Sequence, residues 1–587
     1  MNLEISQREN GFSLQNRSYI TLDSLTIEFF NGSAIYQVNR AEHKSYGNTL
    51  QNLYLRYSNY GVNIQQAVTA NAPTGNITDG FTVEESEIAY IDSLGIRVID
   101  WWEDNASPNL FTRSGVKNTT ILNNKLHHLG FRSDDEGVGA WFIFADKLRF
   151  EGNNVHNIAH NGVQFSFSVI QSPKEYGFTP DEIKTGDILI KDNIFEKACQ
   201  ITTDCGGLKI YGSGPDNHVF RNVLIVGNVF RDTFGWSYVS EQRRLWIGGE
   251  SSAVRGMGGF GLYVDQASGI HAYRNISYNN AYADYMFYGR WRDGEIIYVN
   301  NVAANSLFGM SLGGEKYDTH GSLSTQLINN ILINNEGFGL DLRYASGHTG
   351  NMTIDYNLYF NNGWRPYEQG GLLKAGAMVV WEGDSYKPYP SLVEAQANTP
   401  WEQHGLEGDP AFWSYDVEDH DLYDGSWPDF HLTEASVNAI DMGTTALPAS
   451  LTALLNEFGV EDFQIGQSYD IGRYEAGFVL LAVPSSQAIE PGGTAYYTLS
   501  LYPPDVLYSV NLSVTNPSPD LTLSLSPSTI TGTEVAILTV TDSHPNPVMP
   551  GIWYLLPITG TGSGFTDTTN LGLLVGGARC YLPILFK

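Results

Sequence analysis

A repeat built around asparagine constrains this chain more than any other feature. The unit reads apolar-x-x-Asn-apolar, followed after about eight to thirty residues by a short alternating strand that often begins after glycine. It recurs at Asn124, Asn154, Asn193, Asn228, Asn275, Asn301, Asn330 and Asn357, with spacings of 30, 39, 35, 47, 26, 29 and 27 residues. Degenerate copies sit near Ser24, Asn52 and Glu87. Periods of roughly 20–50 residues mark solenoids and propellers. Each unit here holds short strands and no amphipathic helix, so the expectation is a stack of β-coils. Such a stack buries apolar side chains inside and sets rows of side chains in register outside. The asparagines read as a structural ladder, because Asn tolerates left-handed turns and bonds backbone locally.

A chain of 587 residues exceeds one ordinary core, but a coil in a solenoid contacts only its neighbours, which lifts that limit. Lys and Arg number 33 against 64 Asp and Glu, a net charge of -31. That balance argues against nucleic acid, anionic membrane and polyanionic ligands unless cations bridge them. No apolar run is long enough to span a bilayer. The three cysteines, Cys199, Cys205 and Cys580, include no Cys-x-x-Cys. Cys199 and Cys205 are near enough to pair, but small buried thiols are the expectation. The opening MNLEISQREN lacks the basic end and apolar stretch of a signal peptide, yet Gly11 to Phe30 already reads as a coil. A preceding piece with an export signal is therefore expected, and the protein is expected to be extracellular or at the cell surface, as a monomer.

The strong repeat spans residues 1–363, and residues 364–477 turn to Pro, Trp and Asp-rich sequence. Here GLEGDPAF (405–412), DFHLTEASVNAIDMG (429–443) and YDIGRYE (469–475) resemble the closing segment of secreted bacterial right-handed parallel β-helix proteins. Residues 478–573 change again, to Ser, Thr, Pro and Val. The alternating runs 494–502, 508–516, 521–527 and 534–542 predict an immunoglobulin-like β-sandwich, similar to the accessory modules of secreted bacterial enzymes. Residues 574–587 read as a tail, either a last strand or a sorting sequence. The fold class is all-β: a right-handed parallel β-helix followed by a sandwich.

Aligning the strands gives the outer surface a geometry. The segments are GVNIQ (61–65), GIRVI (95–99), GAWFI (139–143), GVQFS (162–166), GLKIY (207–211), GLYVD (261–265), YMFYG (285–289), GMSLG (309–313) and GLDLR (339–343). Their second and fourth residues are apolar and face in, because side chains alternate along a strand. The third residues form an outward row: Asn63, Arg97, Trp141, Gln164, Lys209, Tyr263, Phe287, Ser311, Asp341. The fifth form another, running through Ser166, Tyr211 and Asp265 to Arg343. Lys209, Tyr211, Tyr263 and Asp265 are predicted to form one patch. Asp135, Glu136, His160 and Asp204 precede the strands at the same edge. The longest insertions fall on these coils and carry Trp236, Glu241, Arg243, Arg244, Trp246 and Glu250. Long loops on a regular scaffold are where function concentrates. Carboxylates, a histidine and a lysine beside flat aromatic rings suit a polysaccharide or oligosaccharide ligand, with Trp141, Gln164, Tyr211, Tyr263, Phe287, Glu136, Trp236 and Trp246 as candidate sugar contacts.

The segments TDCGGLKIYGSG (203–214) and GFGLYVDQASG (259–269) resemble those of β-helix glycoside hydrolases of the α-fucosidase and xylanase type, over residues 120–363. The resemblance implies that Asp204 and Asp265 act as the acid/base and nucleophile or base pair. Lys209 departs from that pattern, which often has an uncharged residue there. A lysine could serve a polysaccharide lyase as the base that abstracts a proton beside a uronate, with calcium on acidic ligands neutralising the uronate. Hydrolysis needs no cofactor; it needs one protonated and one ionised carboxyl flanking the bond, with His160 orienting one of them or holding a hydroxyl. A third reading is a carbohydrate-binding or adhesin-like surface protein without catalysis.

Overall fold

The computed structural model describes residues 8–39, 44–68, 77–102, 116–132, 137–143, 146–167, 186–202, 204–212, 218–235, 258–289, 294–314, 324–344, 352–364, 367–369, 372–382, 385–415, 428–462, 464–502, 504, 506, 508–545 and 551–576. The tail from Gly577 onward, and with it the choice between strand and sorting sequence, lies outside them.

The repeat folds as a parallel β-helix. Strands pair with their equivalents one coil away and in parallel, forming a 23-stranded and an 11-stranded sheet. One run of strands carries the predicted rows: Leu94–Trp102, Ala140–Ile143, Val163–Phe167, Cys205–Gly212, Gly259–Asp265, Ala283–Gly289, Phe308–Gly314, Phe338–Tyr344 and Gly376–Glu382, each paired with the next. Inward positions build one long core, in which Phe142 stacks on Phe165 at 4.9 Å and Phe195 on Phe230 at 5.0 Å. Glycine heads several of these strands because neighbouring backbones leave no room. A Cβ on Gly139 would lie 2.3 Å from the Gly162 carbonyl oxygen, and one on Gly162 would lie 2.3 Å from that of Gly207.

The asparagine ladder is present, with one shift. Its rungs are Asn124, Asn153, Asn193, Asn228, Asn275, Asn301, Asn330 and Asn357. The expectation of Asn154 as a rung is off by one. Asn153 is buried and Asn154 half-buried, because Gly152 at φ 66° makes the left-handed turn that aims the following side chain inward. Each rung works in both directions. The Asn193 Nδ2 donates back to the Phe150 carbonyl at 2.8 Å and forward to Asn228 Oδ1 at 2.9 Å, while Asn193 Oδ1 accepts the Asn153 N–H. A chain of donors pointing forward must end on an acceptor. It ends on Glu402, whose carboxylate accepts Asn357 N–H at 3.3 Å, Asn357 Nδ2 at 2.8 Å and the Tyr359 hydroxyl at 2.7 Å.

Glu402 is fully buried, and burial pushes its carboxyl up to about 7 despite the opposing donors of Tyr359 and Asn357. A carboxyl raised above its ordinary 4.5 binds its proton more tightly folded than unfolded. Its contribution to stability is therefore complete below about pH 4.5 and is lost as pH rises through about 7. Urea midpoints should fall between pH 5 and pH 8, and Glu402→Gln should flatten that slope. An unchanged slope in the variant would refute this assignment.

Two faces of the helix are covered in its C-terminal half. The closing segment lays Phe412, Phe430, Leu432 and Ile471 over Tyr278, Ala304 and Ile333, which explains why those positions are apolar or aromatic. A helix, Ala449–Phe458, packs Leu451 and Leu455 on Leu224, Tyr273, Ile297 and Val299. The chain then forms a sandwich of a four-stranded and a five-stranded sheet around Tyr497, Leu499, Val510, Leu538, Val540, Ile558 and Leu571. In Thr494–Tyr502 buried and exposed residues alternate, as the period-two pattern requires. Among the described residues no helix is long and apolar enough to cross a membrane.

Candidate functional site

Strand pairing brings the predicted patch together. Trp141 lies beside Gln164, Gln164 beside Lys209 and Lys209 beside Tyr263 on one row. Ser166, Tyr211 and Asp265 adjoin on the next. Phe287 does not belong to the outward row. It pairs with Val264, is buried in the core, and leaves Met286 beside Tyr263 and Tyr288 beside Asp265. The cause is the missing glycine in this coil. Asp284 stands at that position, buried and accepting from Asn280 Nδ2 and Ser306 Oγ, both at 2.7 Å. Starting the alignment at Tyr285 therefore slipped the strand by one residue, and a one-residue slip exchanges the two faces.

The centre of the patch is Lys209. Its Nζ lies 3.4 Å from Asp265 Oδ2, 3.5 Å from Asp204 Oδ2 and 3.1 Å from the Asp204 carbonyl oxygen. One ammonium thus joins the two candidate carboxylates, whose Oδ2 atoms stand within about 7 Å of each other, the two contacts laid end to end. That span admits the roughly 5–5.5 Å of a retaining glycosidase pair and reaches the inverting range, which starts near 6.5 Å. Tyr263 donates its hydroxyl to Asp204 Oδ1 at 3.0 Å. The Lys209 ammonium also sits over the Tyr263 ring at 4.5 Å and the Tyr211 ring at 5.5 Å, a cation–π arrangement. Tyr263, a candidate sugar contact on the outward row, is only 4% exposed, because its ring fills the space between Phe260 and Lys209. Tyr211, Trp141 and Gln164 are half-buried.

The two carboxylates differ in environment. The Asp204 side chain is 49% exposed, whereas Asp265 is 6% exposed and its Oδ1 is buried without a hydrogen-bond partner. Burial pushes the Asp265 carboxyl up to about 6. Lys209 pulls it down and the Asp204 charge pushes it further up. Burial also raises the Tyr211 and Tyr263 phenols, with both aspartates adding to the effect.

Asp204 takes a left-handed backbone, φ 59°, an uncommon conformation that Asp tolerates better than most residues. It sits at the end of a loop closed by a Cys199–Cys205 disulfide, Cα to Cα 5.8 Å. The expectation of free buried thiols is corrected: the coil places the two sulfurs against each other in a small buried cluster. His160 is half-buried at the turn one coil earlier, its N–H donating to the Gly137 carbonyl and its carbonyl accepting from Cys199 N–H. A polar chain runs behind the patch. The Gly206 N–H donates to Asn161 Oδ1, Asn161 Nδ2 to Gln164 Oε1, and Gln164 Nε2 and Trp141 Nε1 both donate to Ser166 Oγ. Asn161 was missed; the available signal was an Asn-Gly pair heading an aligned strand. Glu136, Trp236 and Trp246 lie outside the described residues, as do all but Gly258 of the loop 236–258 that the long insertion predicts as one wall of the site. Among the described residues no three His, Cys, Asp or Glu side chains are arranged to hold a metal ion.

No known protein family matches the chain, and no curated protein does. Among solved structures it is similar to the periplasmic chaperone SfaE, at 10% identity and a TM-score of 0.15, over 18% of this chain and 59% of that one. It is also similar to domains 4 and 5 of the S-layer protein SbsC, at 17% identity and a TM-score of 0.13, over 17% of this chain and 51% of that one. The chain thus spans about half to three fifths of these structures, and at such scores neither likeness bears on function.

Proposed function

We propose that this protein is a glycoside hydrolase acting on a neutral or weakly charged plant or microbial glycan, with Asp265 as general acid and Asp204 as nucleophile or general base. The observation that carries the reading is the unequal pair of carboxyls on one ammonium. Asp265 is buried, raised to about 6 and has an oxygen with no partner, which suits a protonated carboxyl that gives its proton to a leaving oxygen. Asp204 is open to solvent and held by Tyr263 and Lys209, which suits a group that attacks the sugar or positions a water. Tyr211 and Trp141 beside the pair offer apolar ring surface for a sugar. Hydrolysis by such a pair calls for no cofactor.

The lyase reading draws less support. Lys209 is almost fully buried and its Nζ is already engaged by three acceptors, which leaves it no open approach to a substrate proton. The test is product chemistry on xylan and on fucosylated and arabinosylated glycans, against pectin and alginate. New reducing ends without an ultraviolet-absorbing unsaturated product are expected. An unsaturated product, lost in Lys209→Ala and kept in Asp204→Asn, would replace hydrolysis by elimination. Binding with no product on any substrate would make the protein a carbohydrate-binding surface protein.

A further inference from the structure

The N-terminal coils carry a groove of about 630 Å³ that shares no residue with the Asp204–Asp265 patch. One wall is a row of rings, Phe29, Tyr57, Tyr90 and His128, one from each successive coil. Ring centroids are 5.1, 5.7 and 5.1 Å apart and the rings are stacked. At that spacing stacked rings are slipped over one another, so part of each face stays open. Phe29, Tyr57 and Tyr90 are 41%, 41% and 42% exposed, as is Phe131 at 42% farther along the groove. Asn31, Asn59, Asp92 and Arg132 bring donors and acceptors to the same groove.

The backbone under this row makes the rings costly to keep. Phe29, Tyr57, Tyr90 and His128 all have positive φ, 67°, 54°, 54° and 55°. The equivalent positions of later coils, also at positive φ, hold Asn157, Lys197, Asp232, Asn279, Asn305, Asn334 and Asn361. Asparagine suits a left-handed turn, whereas bulky aromatic residues are outliers there. Along this row aromatic side chains therefore replace the locally favoured residue in the coils of the groove, while Tyr19 and Tyr356 take positive φ in other rows. Strain of this kind clusters at ligand sites.

We propose that this groove binds an extended, uncharged polysaccharide chain lying along the helix axis, one sugar unit per ring. Each coil repeats the ring at close to the length of one pyranose unit, so a linear chain meets an apolar face at every step and a polar group beside it. The charged lining residues, Asp92 and Arg132, pair with each other at 3.3 Å. Burial lowers the proton affinity of the His128 ring, which favours a neutral wall. With a net charge of -31 on the whole chain, a balanced groove selects against polyanions. The proposal does not depend on hydrolysis.

The experiment is affinity electrophoresis of the full chain through native gels cast with galactomannan, arabinoxylan or xyloglucan, and with polygalacturonate as the anionic control. The carrier is the Asp204→Asn variant, so that the gel is not digested. Retardation by at least one neutral polymer is expected, and Tyr57→Asn with Tyr90→Asn should weaken it about tenfold or more, the effect of roughly 1.4 kcal/mol. The same pair should leave the melting temperature equal or higher, because Asn fits the left-handed turn. In the otherwise native chain the pair should leave turnover of a short soluble oligosaccharide unchanged. Retardation by none of the neutral polymers, by polygalacturonate alone, or equally with and without the two tyrosines would overturn the proposal. Binding without any hydrolysis would support this groove while removing the hydrolase reading.

Discussion

Replacing Asp265 by Asn is expected to lower kcat/KM on the cleaved glycan by about 10²–10⁴-fold or more, while the melting temperature stays unchanged or rises slightly. The two expectations are linked by burial. Asp265 is 6% exposed with an unpartnered Oδ1, so an ionised carboxylate there is a cost to the folded state, and Asn removes it. The same burial holds the proton that the leaving group needs. Below about pH 6 Asp265 is protonated and competent; as pH rises through about 6 it ionises, and the rate should fall along that limb. Lys209→Met tests the assignment further. The lysine charge lowers the Asp265 carboxyl, so its removal should move the limb to higher pH. Asp204→Asn should abolish turnover as well. Full activity in Asp265→Asn, or a limb that Lys209→Met moves to lower pH, would end the assignment.

The second large effect concerns the ladder. Asn153→Ala should cost roughly 2–4 kcal/mol, since buried donors and acceptors left unpaired cost about 1–3 kcal/mol each. The Asn153 side chain accepts from the Asn124 N–H and Nδ2, and donates to the Ile121 and Glu151 carbonyls and to Asn193 Oδ1. Its neighbour Asn154 is half-buried with an Oδ1 that accepts no bond, so Asn154→Ala should stay within about 0.5 kcal/mol. Urea midpoints of the two variants decide the matter. Equal losses would mean that the ladder is not the source of the stability.

The adjacent-residue contrast shows how far the sequence could be read. Period and composition located the coils up to Asn357, because a solenoid repeats one local solution and each repeat restates it; the strand Gly376–Glu382, which continues the same run, carries no such repeat signal. They did not separate Asn153 from Asn154, since both fit the pattern and only the turn at Gly152 decides which side chain enters the core. The same one-residue ambiguity places Phe287 in the outward row of the sequence alignment, whereas it is buried in the core. Where the strand glycine was replaced by Asp284, the alignment lost its marker, and packing of Tyr285 and Phe287 in the core set the register.

What the sequence determined by itself was the architecture and the neighbourhood of the patch. A two-residue alternation repeated at matching positions leaves one register in which all apolar side chains are buried, and that register alone puts Lys209 beside Tyr263 and Tyr211 beside Asp265. Only the tertiary structure decided how those groups differ chemically. Asp204 and Asp265 are the same residue type on adjacent coils, yet one is open and one is buried with its carboxyl pushed up by that burial. Lys209 reaches Asp265, and the Tyr263 hydroxyl reaches Asp204, only when the coils stack. Proton affinity depends on burial and on charges a few ångströms away, and these are properties of packing between coils that no single coil carries in its own sequence.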